Sequence, residues 1–325
     1  MHRLMRPLWL KSPPFLSRLE GFFRRKTVRA FAEQLASLDD LEPALGEAVR
    51  CALAEGEQPE QILYAPSQSV LQAADAGLPA FFLPWEITPT RALVLTSRRL
   101  WIASRAYQAD EAPSSANAVE LLPIPFEDIL SLEMGFVLLN AWFEVDWLRL
   151  GGVDRVCVRF NTVSRILFED LCARVREAIR GLDPDSPDPK SADASLTGLP
   201  FKFSSLIPHH LLLPDECIQA VAFRPAIWER KRLIPPRRTA PRLALVRTDA
   251  HLILAHETLS QAENDHSWVG QILPRRGIRS AVLQGAPPRE VLVLRLGPDQ
   301  LCVPLGQADR QRVLDVCSPF LISNG

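Results

Sequence analysis

The sequence predicts a mainly β protein made of two seven-stranded barrels, each closed by a C-terminal helix, preceded by an N-terminal helical segment. Three observations support this fold class. Residues 156–172 return without a gap at residues 301–317. Short alternating apolar runs, typical of strands, follow one another in the same order in both halves. A stretch rich in Pro, Asp and Ser, residues 181–198, separates the halves and is typical of a linker.

The repeated stretch shows how each unit ends. In both copies an alternating apolar strand passes through a polar corner into an amphipathic helix. The second copy keeps Cys302, Arg310, Asp315 and Cys317 where the first has Cys157, Arg165, Asp170 and Cys172. Self-similarity at fixed spacing is the sequence signature of a repeated structural unit.

Four segments follow from these patterns. Residues 1–55 are predicted as a basic amphipathic helical segment, because apolar residues recur at three- and four-residue steps from residue 15 to residue 35. A second short helix is expected over residues 41–54. The first unit spans residues 60–180, the linker residues 181–200, and the second unit residues 201–325, beginning with a short helix or docking segment at 201–213.

The strands of the first unit are predicted from alternation and turn residues. They cover residues 62–65, 92–95, 100–103, 121–124, 129–134, 142–148 and 155–160. Ser164 is the expected N-cap of the closing helix. In the second unit, strands are expected at 218–223, within 243–255 and 271–282, and at 291–296 and 301–305, before a helix over 309–317.

Composition limits the classes of function. The formal charge is −1, so no global field attracts the chain to nucleic acid, and nucleic acid is not expected as a partner. The six cysteines form no CxxC pair, which favours small buried side chains in a reducing compartment over disulfides or a metal site. No apolar run approaches the ~20 residues that cross a bilayer. We therefore expect a cytoplasmic protein.

Catalytic motifs are absent from the sequence. It contains no GxSxG elbow, HExxH helix, phosphate-binding loop or GxGxxG turn. Glu144 and Asp146 lie on one face of a predicted strand, where we expect their carboxylates to be solvated. The histidines lack partners at metal-ligand spacing. The sequence thus predicts a non-enzymatic protein without cofactor or metal.

Three stretches resemble pleckstrin-homology-like (PH-like) domains, most closely those of bacterial proteins that carry PH-like or GRAM-like domains. They are TSRRLWIA at 96–103, IPFEDILSLEMG at 124–135 and RFNTVSRILFEDL at 159–171. The resemblance covers residues 60–180 well and 215–318 more weakly. It implies two barrels that act as binding modules, and in some PH-like domains a basic loop between strands one and two binds phosphoinositide head groups.

The corresponding loop differs between the copies. Residues 67–90 of the first copy contain no Lys or Arg, whereas the second copy has Arg230, Lys231, Arg232, Arg237 and Arg238. Guanidinium groups bind phosphate oxygens with paired hydrogen bonds. The loop therefore predicts a site for phosphate or anionic lipid, with a protein partner and plain solvation as the alternatives.

Two apolar segments are expected to contact a partner or a membrane. The residues concerned are Trp9, Phe15, Phe22, Phe23, Arg24, Arg25, Lys26, Phe81, Phe82 and Trp85. The N-terminal helix is compatible with a membrane surface, with docking on a partner and with packing on the protein itself. The segment at 81–85 is expected to pack on its own barrel or on a partner. We expect an interaction or scaffold protein that binds a protein partner or belongs to a larger assembly. The alternative is a peripheral membrane protein that binds anionic head groups through the basic loop of the second unit.

Overall fold

A computed structural model describes residues 31–71, 85–105, 119–137, 139–182, 195–229, 236–258, 267–286 and 290–321. This part of the chain is mainly β, as predicted. The predicted N-terminal stripe from residue 15 to residue 30 lies outside the described residues.

The first unit contains two helices, α1 (Pro43–Ala52) and α2 (Arg165–Arg180). Its strands are β1 (Glu33–Leu35), β2 (Pro59–Ala65), β3 (Ser69–Leu71), β4 (Trp85–Ile87), β5 (Thr90–Thr96), β6 (Arg99–Arg105), β7 (Val119–Pro125), β8 (Ile129–Val137), β9 (Asn140–Arg149) and β10 (Gly152–Asn161). All seven strands predicted for this unit are confirmed. The short strands β1, β3 and β4 were not predicted.

The second unit begins with α3 (Phe201–Leu206), which continues into a π-helical turn, Ile207–Leu211. Its strands are β11 (Ile218–Arg224), β12 (Ile227–Glu229), β13 (Arg237–Ala240), β14 (Leu243–Thr248), β15 (His251–His256), β16 (Trp268–Pro274), β17 (Ile278–Gln284), β18 (Val291–Leu296) and β19 (Asp299–Pro304). Helix α4 (Arg310–Cys317) follows them. The predicted docking segment at 201–213 is confirmed as a helix.

The described strands form open sheets, so the prediction of two seven-stranded closed barrels is not confirmed. One sheet has the order β1-β2-β5-β6-β7, and a second has the order β10-β9-β8-β16-β15-β14-β11. A third contains β17-β18-β19, and the pairs β3-β4 and β12-β13 are hairpins. Among the described strands no sheet closes on itself. Three strands of the first unit and four of the second share one sheet through the antiparallel pairing of β8 with β16.

The two units repeat each other down to their irregularities. The β2–β5 register shifts between Pro59 and Gln61, and the β11–β14 register shifts between Ile218 and Ala220. The pairing of β8 with β9 shifts just after Ile129, as that of β17 with β18 does after Ile278. Such bulges change the twist of a strand locally, so their recurrence supports the internal repeat read from the sequence.

One residue explains why only one of two equivalent edges is joined. Strand β16 pairs with β8 through Ile272 opposite Leu132. On β7 the corresponding position is Pro123. Phe126 N donates to Arg98 O, and every second residue of β7 before it also hydrogen-bonds to β6. The backbone of residue 123 therefore faces away from β6, toward a possible further strand. Because this residue is proline, it has no N–H to donate there. Pro123 thus keeps β7 an edge strand.

Each unit has a helix on the outer face of its first sheet. In the first unit α1 packs Leu45 and Val49 against Val94 and Trp101. In the second unit α3 and the π-helical turn take the same place, and they share a core with α2. The inner face of the second unit packs against α4. Helix α2 therefore lies between the two units.

One prediction is wrong at the start of the described residues. The amphipathic helix expected to reach residue 35 is replaced at Glu33–Leu35 by strand β1, whose pairing with β2 satisfies the backbone of both strands. Ser164 is the N-cap residue of α2, as predicted, but its hydroxyl donates to Ala32 O at 2.9 Å and makes no capping hydrogen bond to the helix. The second short helix is confirmed as α1.

Candidate interaction surfaces

A buried glutamate organises the corner between helix and sheet in the first unit. Glu57 precedes β2 and accepts hydrogen bonds from Thr96 Oγ1 at 2.7 Å and from Ala54 N at 3.1 Å. Arg99 Nε lies 3.4 Å from the same carboxylate. Burial would raise the pKa of Glu57, but these hydrogen bonds outweigh it and lower the pKa. The carboxylate therefore fixes the end of α1 to the β5–β6 turn in its ionised form.

The second unit repeats this arrangement with Glu216. Glu216 accepts from Thr248 Oγ1 at 2.5 Å and from Leu213 N at 3.0 Å. Two partners differ from the first unit. His251 Nδ1 lies 2.8 Å from Glu216 Oε1, and Arg176 of α2 forms an ion pair with Oε2. Arg176, Glu216 and His251 are all almost completely buried.

Helix α2 contributes a second arginine to the second unit. Arg180 donates to Asp249 Oδ2 and to Asp215 Oδ2, both at 2.8 Å. Asp249 also accepts from Cys217 N at 3.0 Å. Arg176 and Arg180 are one turn apart on α2, so one face of this helix binds the carboxylates that begin the second unit. The closing helix of the first unit thereby anchors the second.

Electrostatics at this junction favour one charge state. Burial would raise the pKa of Glu216, but Arg176 and His251 outweigh it and hold the pKa far below its usual range. Burial and the positive charge of Arg176 lower the pKa of His251, although Glu216 opposes this. The stable state therefore combines a charged Arg176, an ionised Glu216 and a neutral His251.

A groove lies beside the junction, between the exposed side of α2 and the π-helical turn. Its volume is about 460 Å³, and we call it the α2 groove. It is lined by Gln34, Ile166, Leu167, Glu169, Asp170, Cys172, Ala173, Arg176, His209, His210 and Leu212. His210 Nδ1 lies 2.9 Å from Glu169 Oε1. Gly270 of β16 lets the π-helical turn approach, because a Cβ there would lie 2.3 Å from Leu211 Cδ2.

Apolar side chains are exposed where α2 begins. Val163 and Ile166 are 66% and 68% exposed and stand one helical turn apart. Leu139 is also exposed, and its carbonyl accepts from Thr162 N. Phe31 is exposed beside Ala32, which contacts Ser164. We call Phe31, Leu139, Val163 and Ile166 the α2 patch. Grouped apolar exposure of this kind marks interaction sites more often than single exposed residues do.

A basic cluster surrounds Glu257 in the second unit. Arg238 and Arg242 lie 2.6 Å from its carboxylate, and Lys202 lies 3.5 Å away. Burial would raise the pKa of Glu257, but the arginines outweigh it and lower the pKa. Arg238, which the sequence placed in the predicted basic site, is thus bound to an internal carboxylate.

The predicted solvation of Glu144 and Asp146 is wrong. Both are buried on β9, where Asp146 accepts from Arg155 Nε at 2.5 Å and from Ser131 Oγ at 2.8 Å. Glu144 lies 3.2 Å from Arg155 Nε. The alternation placed them correctly on one face, but the arginine that neutralises them comes from the adjacent strand β10.

The remaining predicted contact residues fall mostly outside the described residues. These are Trp9, Phe15, Phe22, Phe23, Arg24, Arg25, Lys26, Phe81, Phe82, Arg230, Lys231 and Arg232. Trp85 begins β4, and Arg237 begins β13. Among the described residues, the structure groups Arg238 with Lys202 and Arg242, which the sequence had not singled out.

Comparisons with known proteins give no further identification. No family model, no curated protein and no solved structure matches the chain. Within the described residues, no helix is long and apolar enough to span a membrane. In the same part of the chain, no group of three His, Cys, Asp or Glu side chains is placed to hold a metal ion. All six cysteines are free, and Cys51 is exposed, contrary to the expectation of burial.

Proposed function

We propose that this chain is a non-enzymatic interaction protein that binds a partner protein at the α2 groove. The observation that carries this proposal is the groove itself, which combines about 460 Å³ of space with the exposed side chain of Ile166 in its wall, one turn after the exposed Val163. Pockets that bind ligands commonly fall in this size range and are lined mainly by apolar groups with a few polar ones.

Two PH-like units would supply the scaffold. Each unit packs four antiparallel strands, β2-β5-β6-β7 or β11-β14-β15-β16, against a three-stranded sheet segment and ends in a helix, which supports this assignment. The pairing of β8 with β16 and the buried pair of Arg176 with Glu216 hold the units together. A rigid junction keeps the groove open, since its walls come from both units.

The chemistry of the groove indicates what kind of partner it fits. Ile166 and Ala173 offer apolar contact on α2, while the carboxylate of Asp170 is half-exposed and lies 3.0 Å from Arg174 Nε. A short amphipathic segment with large apolar side chains and one or two basic residues would match these groups. Helix-in-groove recognition of this type uses apolar anchors spaced by three or four residues.

The test is a substitution on the groove wall. A partner is first isolated by affinity purification with the full chain, and its dissociation constant is then measured. Ile166→Asp should weaken binding at least tenfold, because a buried apolar anchor contributes about 1.4 kcal/mol or more. Thermal unfolding should be unchanged, since Ile166 is exposed.

Leu150→Asp is the matched control, because Leu150 is fully exposed in the β9–β10 turn, away from the groove. It should leave the dissociation constant unchanged. A partner that binds Ile166→Asp as tightly as the parent would exclude the α2 groove as its site.

A second candidate function is binding of anionic lipid head groups by the second unit. It is favoured by the excess of positive charge around Glu257, where three cationic side chains meet one carboxylate, and by Arg230, Lys231 and Arg232, which add three further charges in the chain segment that leads to Arg238. The test is co-sedimentation of the full chain with vesicles of phosphatidylcholine alone or with added phosphatidylserine. Changing Arg230, Lys231 and Arg232 to Ser should abolish salt-sensitive binding to the anionic vesicles. Arg238 is left intact, because its loss would leave Glu257 less well paired.

A further inference from the structure

The charge of this protein is divided unevenly along the chain. Residues 1–30 contain eight Lys or Arg and one Glu, whereas residues 31–325 contain 29 Lys or Arg and 37 Asp or Glu. With histidines neutral, the first segment carries +7 and the rest −8. A strongly basic segment joined to an acidic body favours contact between the two.

The structure shows where that basic segment meets the body. Ala32 is fixed by the hydrogen bond from Ser164 Oγ at 2.9 Å, and β1 follows it directly. Residues 1–30 are therefore attached where α2 begins, next to Val163 and Ile166. Gln34 of β1 and Ile166 of α2 line the same groove.

Length and pattern fit this surface. Helix α2 has 16 residues and is about 24 Å long. Residues 15–30 could cover it in a helical or an extended conformation, since an extended residue spans about 3.3 Å. The apolar residues of this segment, among them Phe22 and Phe23, recur on one predicted face, and Arg24, Arg25 and Lys26 follow them. A face of this kind matches the apolar α2 patch together with Asp170.

We propose that residues 15–30 dock in cis on the α2 patch and in the α2 groove. The aromatic residues cover Val163 and Ile166, and the basic residues face the acidic body. The groove then has an occupant within its own chain, and an outside partner must displace it. This last consequence rests on the proposed function, whereas the docking itself does not.

The experiment places a photoreactive benzoylphenylalanine at position 166 of the full-length protein. After irradiation, the cross-linked peptides are mapped by mass spectrometry. We expect monomeric products that join position 166 to residues 12–30. The double substitution Phe22→Asp, Phe23→Asp should reduce their yield at least tenfold. The same photoreactive residue at position 150 should give no adduct with residues 12–30.

Three results would overturn the proposal. One is the absence of adducts with residues 12–30, and another is a yield that the double substitution does not change. The third is a product of dimer mass, which would assign the contact to a second copy. If residues 15–30 bound anionic vesicles while no adduct formed in solution, the segment would bind a membrane surface and not the α2 patch.

The docking and the partner site can fail separately. If the adduct forms but Ile166→Asp leaves partner affinity unchanged, docking in cis stands and the groove is not the partner site. If both hold, the double substitution Phe22→Asp, Phe23→Asp should tighten partner binding, because the competing occupant is removed. An unchanged affinity together with loss of the adduct would refute the competition.

Discussion

Both units bury a glutamate before the first long strand and bind it through equivalent residues. They differ in the origin of the positive charge that compensates this glutamate. Glu57 and Glu216 both precede the first long strand, accept a bond from a threonine and accept another from the backbone that ends a helical segment. The cation at Glu57 is Arg99, which belongs to the same sheet. The cation at Glu216 is Arg176, which belongs to the other unit.

This difference explains how the network of the second unit also connects the two units. We call the group formed by Arg176, Glu216 and His251 the joint. Position 99 of the first unit corresponds to His251 in the second, and that substitution removes the local arginine. Glu216 would then lack a fully charged partner, and α2 provides one because it passes over the second unit. The first unit's network stabilises that unit alone, while the second unit's network also determines how the two units are placed.

The edge strands of the sheets also differ between the two units, in this case in their backbone hydrogen bonding. Strand β16 presents Ile272 to β8, whereas β7 has Pro123 at the equivalent place. Strand β17, the counterpart of β8, is bridged at Ala281 by Leu321, which follows α4. The repeat therefore joins its two copies at one edge and protects the equivalent edges against further pairing.

The largest expected effect follows from exchanging these edge residues. Ile272→Pro removes an N–H in the middle of a seven-stranded sheet and should lower the free energy of unfolding by at least ~3 kcal/mol. Urea unfolding monitored by circular dichroism measures this loss.

Two variants control for side-chain effects in that experiment. Ile272→Val keeps the N–H and should cost only ~0.5–1.5 kcal/mol. Pro123→Ile restores an N–H to an edge strand, so stability should change by less than ~0.5 kcal/mol. Equal losses for Ile272→Pro and Ile272→Val would show that the β8–β16 ladder does not hold the units together.

The second prediction compares the two buried glutamates directly. Arg176→Met leaves Glu216 ionised and buried with only neutral partners, which should cost ~3–5 kcal/mol. Arg99→Met should cost less than ~1 kcal/mol, because the Arg99 side chain is partly exposed and its contact is 3.4 Å long. Both are measured by urea unfolding. Similar costs would mean that the Arg176 pair contributes nothing specific to the joint.

The sequence predicted the strands well because they depend on local alternation. The seven strands of the first unit and closing helix α2 follow from apolar spacing and turn residues, which act within a few positions. The internal repeat added the order of the second unit. Strand β1 was missed because its three residues, Glu33–Leu35, continue a helical spacing and form a strand only against β2.

The joint could not be predicted, because it depends on contacts between distant positions. Arg176 meets Glu216 forty residues along the chain, and Arg155 neutralises Glu144 and Asp146 from a neighbouring strand. One sequence signal was available. Both units place a glutamate two residues before the first long strand and a threonine at the turn after the next one. That recurrence indicated a shared buried network, although not the cation that completes each copy.

The smallest expected effect distinguishes the two networks by pH. In the first unit the position of His251 is occupied by Arg99. Burial and Arg176 lower the pKa of His251 in the folded protein, so below about pH 6.5 the unfolded chain takes up a proton that the folded one does not. Stability should therefore fall as the pH decreases, by about 1–2 kcal/mol between pH 7 and pH 5.

Protonation of Glu216 lowers the stability further at more acidic pH. Its pKa is lowered in the folded protein, so its contribution is present above about pH 4.5 and is lost under more acidic conditions. Urea unfolding at pH 7 and pH 5 separates the two groups. His251→Gln should remove most of the loss between these pH values, because it cannot titrate, while Arg99→Met should leave the loss intact. An unchanged pH dependence in His251→Gln would show that the folded protein accommodates a protonated His251, and the two networks would then not differ in their response to pH.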